Sequence, residues 1–219
     1  MFPNNDQNES IQGHRTDNAS YTSRLLDKQT APWKRILDVQ APYRWNLRRL
    51  KPGFTLDIGC GVGRNLINLN GEGVGIDHNA RSIAITKERG LIAFTPEEFD
   101  ASSFNQPARF DSLLLAHVAE HMTHRELVAL LGKYLTLLKP KGKLILITPQ
   151  ESGYRSDPTH VEFKGFLELR RTIDELGLAF SHEYSFPFPR IFGRFFTYNE
   201  FVAVGSKPEN DADIARAGH

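Results

Sequence analysis

LDIGCGVGRNL, residues 56–66, is the stretch that decides how this chain folds. It follows the turn signal Lys51-Pro52-Gly53 and belongs to a short apolar run, FTLDIG, of the length of a buried strand. The alternate glycines Gly59, Gly61 and Gly63 then let the backbone bend sharply and lie against a ligand with no Cβ in the way. From Arg64 to Leu69 the pattern becomes helical. In sheets built from such strand–turn–helix units, ligands sit at the carboxyl ends of the strands.

The same alternation continues outward. GVGID (73–77) reads as a second strand, ARSIAITKERG (80–90) as a helix ending on Gly90, and LIAFT (91–95) as a third strand. FDSLLLA (110–116) reads as a fourth strand, THRELVALLGKYLTLLKPKG (123–142) as a long amphipathic helix closed by Pro140 and Gly142, and KLILITP (143–149) as a fifth strand. These strands are apolar almost throughout rather than at every second residue, so both faces of a parallel sheet must be covered. FKGFLELRRTIDELG (163–177) reads as a further helix, and LAFSHEYSF (178–186) with TYNEFVAVGSKP (197–208) as an antiparallel pair at the sheet edge. The expected architecture is a doubly wound, Rossmann-like α/β sheet of seven strands, mostly parallel, with an antiparallel C-terminal hairpin. Residues 1–20 are polar and lack an apolar period, which suggests a mobile arm. Short helices interrupted by Pro32 and Pro42 are expected over 21–50, the main domain over 51–207, and a polar tail over 208–219.

Composition narrows the function. With 219 residues, 40% of them hydrophobic, the chain has material for one substantial core. Lys plus Arg (27) nearly cancels Asp plus Glu (26), so no global charge calls for nucleic acid. The one cysteine, Cys60, precludes an internal disulfide and suits a reducing compartment. No stretch has the character of a signal peptide or a membrane span, so the expected location is the cytoplasm.

Two details bear on the ligand of the glycine loop. The dinucleotide fingerprint has its third glycine three positions after the second, where this chain has Arg64. Asp77 ends the second strand, twenty residues after Asp57, and is placed to accept hydrogen bonds from two ribose hydroxyls, which suits NAD and adenosine ligands alike. In the order of its motifs the chain resembles the class I S-adenosylmethionine-dependent methyltransferases: LDIGCGVGRNL is similar to their first motif and GVGIDHN to their second. FDSLLLAHVAEHM is similar to the fourth-strand motif, and LLKPKGKLILITP to the helix, turn and strand that follow. The resemblance covers roughly residues 50–205. It implies S-adenosylmethionine as cofactor, with Asp57, Gly59, Cys60 and Gly61 lining its methionine half, Cys60 through its backbone. Asp57 would help to hold the ammonium group. Asp77, followed by His78, would bind the ribose. Glu97 would meet the adenine and Glu98 would supply a backbone amide, with Asp100 competing for the adenine role, while Ala116 and His117 would touch the cofactor from the fourth strand's loop.

The same loop spells His117-x-x-Glu120-His121, an inverted zinc-peptidase pattern that needs both histidines on one face of a formed helix. Thr123-His124-Arg125-Glu126 is a capping box, which starts the helix after His121 and leaves the motif in a loop. No metal is therefore expected, although His117, Glu120, His121 and His124 lie near one another in the chain. Methyl transfer needs aligned reactants, and an acceptor that carries a proton needs a base. Many small-molecule methyltransferases carry Pro-x-His after the fifth strand, which makes His160 the first candidate, with Asp157 and His121 beside it and Glu120 in reach. Recognition of a small-molecule acceptor is expected from Tyr43, Arg44 and Trp45 and from FPFPRIFGRFF (186–196), whose phenylalanines can equally be core. The oligomeric state stays open. The alternatives are an NAD-dependent oxidoreductase and a noncatalytic partner subunit of the same fold.

Overall fold

The computed structural model describes residues 40–209. The expected arm over 1–20, the helices expected over 21–39 and the tail from residue 210 lie outside the described residues. The described chain begins with α1 (Ala41–Arg49) and then alternates: β1 (Thr55–Ile58), α2 (Arg64–Asn68), β2 (Gly73–Ile76), α3 (Ala80–Glu88), β3 (Ala93–Phe94), α4 (Pro96–Asp100) and β4 (Phe110–Ala116). It continues with α5 (His124–Tyr134), β5 (Leu138–Pro149), α6 (Glu151–Arg155), α7 (Phe166–Glu175), β6 (Ala179–Phe186) and β7 (Glu200–Ser206). The strands form one sheet in the order β3-β2-β1-β4-β5-β7-β6. The pairs from β3 through β5 are parallel, and β7 runs antiparallel between β5 and β6. The strand order reverses between β1 and β4, so a crevice forms at their carboxyl ends.

Burial on both faces explains the uninterrupted apolar strands. In β4, Leu113 and Leu115 join a core with Leu127 and Leu131 of α5 and Leu169 and Ile173 of α7. Leu114 and Ala116 point to the other face and meet Ile145, Val202 and Leu47 of α1. This alternation is the two-residue period of a strand covered on each side.

Several local readings shift. The helix expected over 123–142 ends at Tyr134, tightens into a 3-10 turn over Leu135–Leu137 and gives way to β5 at Leu138. Leu138 pairs with Phe110, the segment 139–142 loops out, and regular pairing resumes at Lys143 with Ser112. Proline at 140 has no N–H to extend a helix, and Lys141 takes a positive φ of 61° that turns the chain. The short helix α6 has no counterpart among the expected elements. The loop between β6 and β7, residues 187–199, is also longer than a tight hairpin and carries a 3-10 turn, Arg190–Arg194. Among the described residues no helix is long and apolar enough to cross a membrane.

Candidate active site

The bend after β1 is built as its glycines require. Gly59 has φ +77°, and a Cβ there would stand 2.4 Å from Val118 Cγ2, so only glycine lets this turn pass under the loop that follows β4. Gly63, at φ +78°, is hemmed in by Leu91 and Thr86 in the same way. The Gly61 amide donates to Asp77 Oδ2 at 2.8 Å and the Asn79 amide to Asp77 Oδ1 at 2.8 Å. Asp77 thus clips the bend to the start of α3. Each of its oxygens has accepted one bond and retains a further acceptor site.

Asp57 is fully buried. Its Oδ1 accepts from Asn65 Nδ2 at 3.3 Å, whereas Oδ2 has no hydrogen-bond partner among the described residues. Burial pushes its pKa up to about 7, against the opposing pull of Asn65 and Arg64. A buried acceptor without a donor costs free energy until a donor or cation arrives. Cys60 turns its side chain away from the bend, packing with Ile83 and Ala93 and filling the space above Gly75. Burial raises its thiol far above the ordinary range, so it presents no thiolate.

The other residues expected around the cofactor are spread along the same edge. His78 is exposed, with Nδ1 3.6 Å from Asp77 Oδ1. Glu97 is exposed in the first turn of α4. The amide of Glu98 is taken by Thr95 Oγ1, and its carboxylate accepts from the Thr95 amide and from Lys87 Nζ. Thr95-x-x-Glu98 is a capping-box signal present in the sequence, and it accounts for Glu98 structurally. Asp100 pairs with Lys133 at 3.0 Å.

After β4, Ala116 ends buried and His117 turns with φ +59°. His117 Nε2 lies 2.8 Å from Glu200 Oε1, and Nδ1 lies 3.6 Å from Glu120 Oε1. Burial alone would lower its pKa, but the two carboxylates outweigh it and hold the ring up at about 9. The zinc-peptidase geometry does not form: Ala119–His121 is a 3-10 turn, and α5 starts at His124 with Thr123 and Glu126 as the reciprocal cap. His124 pairs with Glu175 instead. His117 and His121 therefore do not share a helical face.

His121 and His160, from loops 39 residues apart, meet with ring centroids 4.8 Å apart. His160 Nδ1 lies 2.6 Å from the Tyr154 carbonyl, which can only accept, so that nitrogen carries a proton, and Nε2 lies 4.0 Å from Glu120 Oε1. Tyr154 stacks on the His160 ring at 5.1 Å. Burial, reinforced by His160, keeps the pKa of His121 below the ordinary range. Asp157 accepts both the amide and the hydroxyl of Thr159, at 2.9 and 2.7 Å; burial opposes its ionisation, yet these two bonds hold its pKa low. Thr159 in turn lies against His121 Nδ1. Three groups that sequence reasoning missed frame this side. Glu200 holds His117, and the fully buried Gln150 and Asn199 tie β5 to the loop before β7. No local pattern marks these three, because the bonds that join them here, Glu200 to His117 and Gln150 to Glu200 and Asn199, each span 49 residues or more.

The profile of a family described as "Methyltransferase domain" matches residues 19–196. This chain belongs to that methyltransferase family. A curated relative from Anoxybacillus flavithermus, named an uncharacterized methyltransferase, is 30% identical over 121 residues, which is 52% of this chain and 57% of the relative. This methyltransferase domain therefore matches little more than half the length of that relative. Its fold recurs in solved structures. A SAM-dependent methyltransferase from Archaeoglobus fulgidus is 19% identical, covering 75% of this chain and 93% of that one with a TM-score of 0.57. The magnesium protoporphyrin IX methyltransferase of Synechocystis, solved with bound SAH, is 14% identical, covering 91% and 100% with a TM-score of 0.62.

Proposed function

We propose that the protein binds S-adenosylmethionine at the β1–β2–β4 edge and transfers its methyl group to a small-molecule acceptor. The observation that carries this reading is Asp57 Oδ2, a buried carboxylate oxygen with no partner beside a bend that only glycine permits. The residues fit the cofactor on that ground. Asp57 would receive the ammonium of its methionine half, the Gly59–Gly61 backbone would lie along it, and the free acceptor sites of Asp77 would take the ribose hydroxyls. When bound, the cofactor supplies an electrophilic methyl on a sulfonium.

The chain's own part is to hold the reactants and move a proton. Holding them aligned can supply roughly 7–11 kcal/mol of the barrier. His160, whose Nδ1–H is held by the Tyr154 carbonyl, would in its neutral form take the acceptor's proton on Nε2. His121 stands beside it as the second candidate. Asp157 acts through Thr159, which it holds against His121, rather than as a base of its own. The exposed aromatic stretch of Phe188, Phe192 and Phe195, with Trp45 at the other end of the described chain, offers apolar surface for the acceptor. Calorimetric titration with S-adenosylmethionine, S-adenosylhomocysteine and NADH tests the reading: the first two bind one to one and NADH does not. Binding of NADH alone would assign the bend to a dinucleotide.

A further inference from the structure

We propose that Glu120, His121 and His160 form a binding site for a divalent first-row transition-metal cation. One ligand-capable atom from each of the three lies within 4.8 Å of the others. Glu120 is 1% exposed, and its Oε2 is buried with no hydrogen-bond partner among the described residues. Its Oε1 is 4.0 Å from His160 Nε2 and 3.6 Å from His117 Nδ1. A buried carboxylate that leaves one oxygen unsatisfied, next to two imidazoles, is costly unless something positive joins them.

The histidines are already set up as ligands. A metal-binding imidazole normally donates its other N–H to a carbonyl or carboxylate, which fixes the tautomer and aims the lone pair. His160 does this with Nδ1 to the Tyr154 carbonyl at 2.6 Å, and the Thr159 carbonyl lies 3.4 Å from His121 Nδ1. In the neutral rings, the form that binds a metal, this leaves both Nε2 atoms as acceptors. The loops are tied together at this point, since the amides of Val161 and Glu162 donate to the Glu120 carbonyl at 2.8 and 3.3 Å. Bonds of ~2.1 Å to a common ion put ligand atoms about 3.4 Å apart, so the side chains must close by roughly an ångström from the separation seen here.

Two nitrogens and one carboxylate favour zinc, iron, cobalt or manganese over magnesium or calcium, which take oxygen ligands. The triad leaves coordination positions open, and an acceptor hydroxyl is the ligand they would take, the ion then lowering that hydroxyl's pKa in place of a histidine base, since the Nε2 lone pairs are occupied; that last clause alone rests on the proposed function.

The test uses the full chain after chelator treatment, titrated with Zn²⁺ and separately with Co²⁺, whose visible absorption reports nitrogen and oxygen ligation. One-to-one binding is expected for both, with little response to Mg²⁺. Glu120→Gln, His121→Gln and His160→Gln should each weaken binding at least tenfold and shift or abolish the cobalt spectrum, while His124→Gln, which alters only the pair with Glu175, leaves both unchanged. Circular dichroism checks that each variant folds, and the partly exposed His121 gives the variant least prone to fold poorly. No stoichiometric binding, or binding equal to wild type in all three folded variants, overturns the proposal. Titration of the same variants with S-adenosylhomocysteine keeps the two claims apart: cofactor binding without metal refutes only this site, and metal binding without cofactor refutes only the proposed function.

Discussion

Replacing Asp57 with asparagine separates what this residue costs the free protein from what it gives to binding. Its displacement from the ordinary 3.8 to about 7 is worth roughly 4 kcal/mol, since each tenfold in proton affinity is ~1.4 kcal/mol. The sign follows from which state holds the proton. Between pH 4 and 7 the folded chain keeps a proton on Asp57 that the unfolded chain has released. The resulting stability is complete below about pH 4 and is lost as pH rises through about 7. At pH 8 the wild type therefore carries a buried, half-satisfied carboxylate, and Asp57→Asn removes that charge while keeping the shape. The variant should be more stable than wild type at pH 8, by an amount on the order of 1–4 kcal/mol that shrinks toward pH 5. Binding should move the opposite way. Loss of a charge-assisted hydrogen bond to the ligand's ammonium costs ~1.5–3 kcal/mol, roughly ten- to a hundredfold in Kd for S-adenosylhomocysteine. Wild-type affinity should also fall toward tenfold for each pH step below about 7, because binding must expel the Asp57 proton, and the variant should lack that dependence. Thermal denaturation at pH 5 and 8, with calorimetry over the same range, reads all of these outcomes. A variant that is less stable at pH 8 and binds as tightly as wild type would refute the reasoning.

Other substitutions test separate parts of the account. Gly59→Ala places a Cβ 2.4 Å from Val118 Cγ2 at a φ of +77°; it should cost about 1–3 kcal/mol in a denaturant titration and abolish cofactor binding. His160→Gln should lower kcat by ~10²–10⁴-fold with an identified acceptor while the Kd for S-adenosylhomocysteine stays within about twofold, a split that a merely structural role would not give. Lys164 is buried with its ammonium 2.9 Å from Glu162, which is 40% exposed and can rehydrate. Lys164→Met should therefore be neutral or stabilising in thermal denaturation, since a buried ion pair seldom repays its desolvation.

Features set by neighbours in the chain were legible in the sequence, and those set by distant partners were not. The β1 bend is legible because Gly59 and Gly63 answer local demands for positive φ and close approach. The start of α5 is legible because Thr123 and Glu126 cap each other within one turn. The same signal at Thr95 and Glu98 shows that Glu98 is committed to a cap. In contrast, β5 begins five residues before the apolar run KLILITP, because its first residue, Leu138, answers to Phe110 across the sheet. His117 appears in a peptidase-like pattern, yet its ring is claimed by Glu200, 83 residues away. The Glu120–His121–His160 cluster is hidden for the same reason: its third member arrives on the loop between α6 and α7, and ties such as those from the Val161 and Glu162 amides to the Glu120 carbonyl bring the two loops together.

The central claim is that a buried carboxylate and a glycine bend hold the adenosyl ligand, and a crystal structure with S-adenosylhomocysteine tests it most directly. The account predicts the ligand's amino nitrogen within ~3 Å of Asp57 Oδ2 and its ribose hydroxyls on Asp77. A ligand seated elsewhere, or one that leaves Asp57 Oδ2 without a partner, would contradict it.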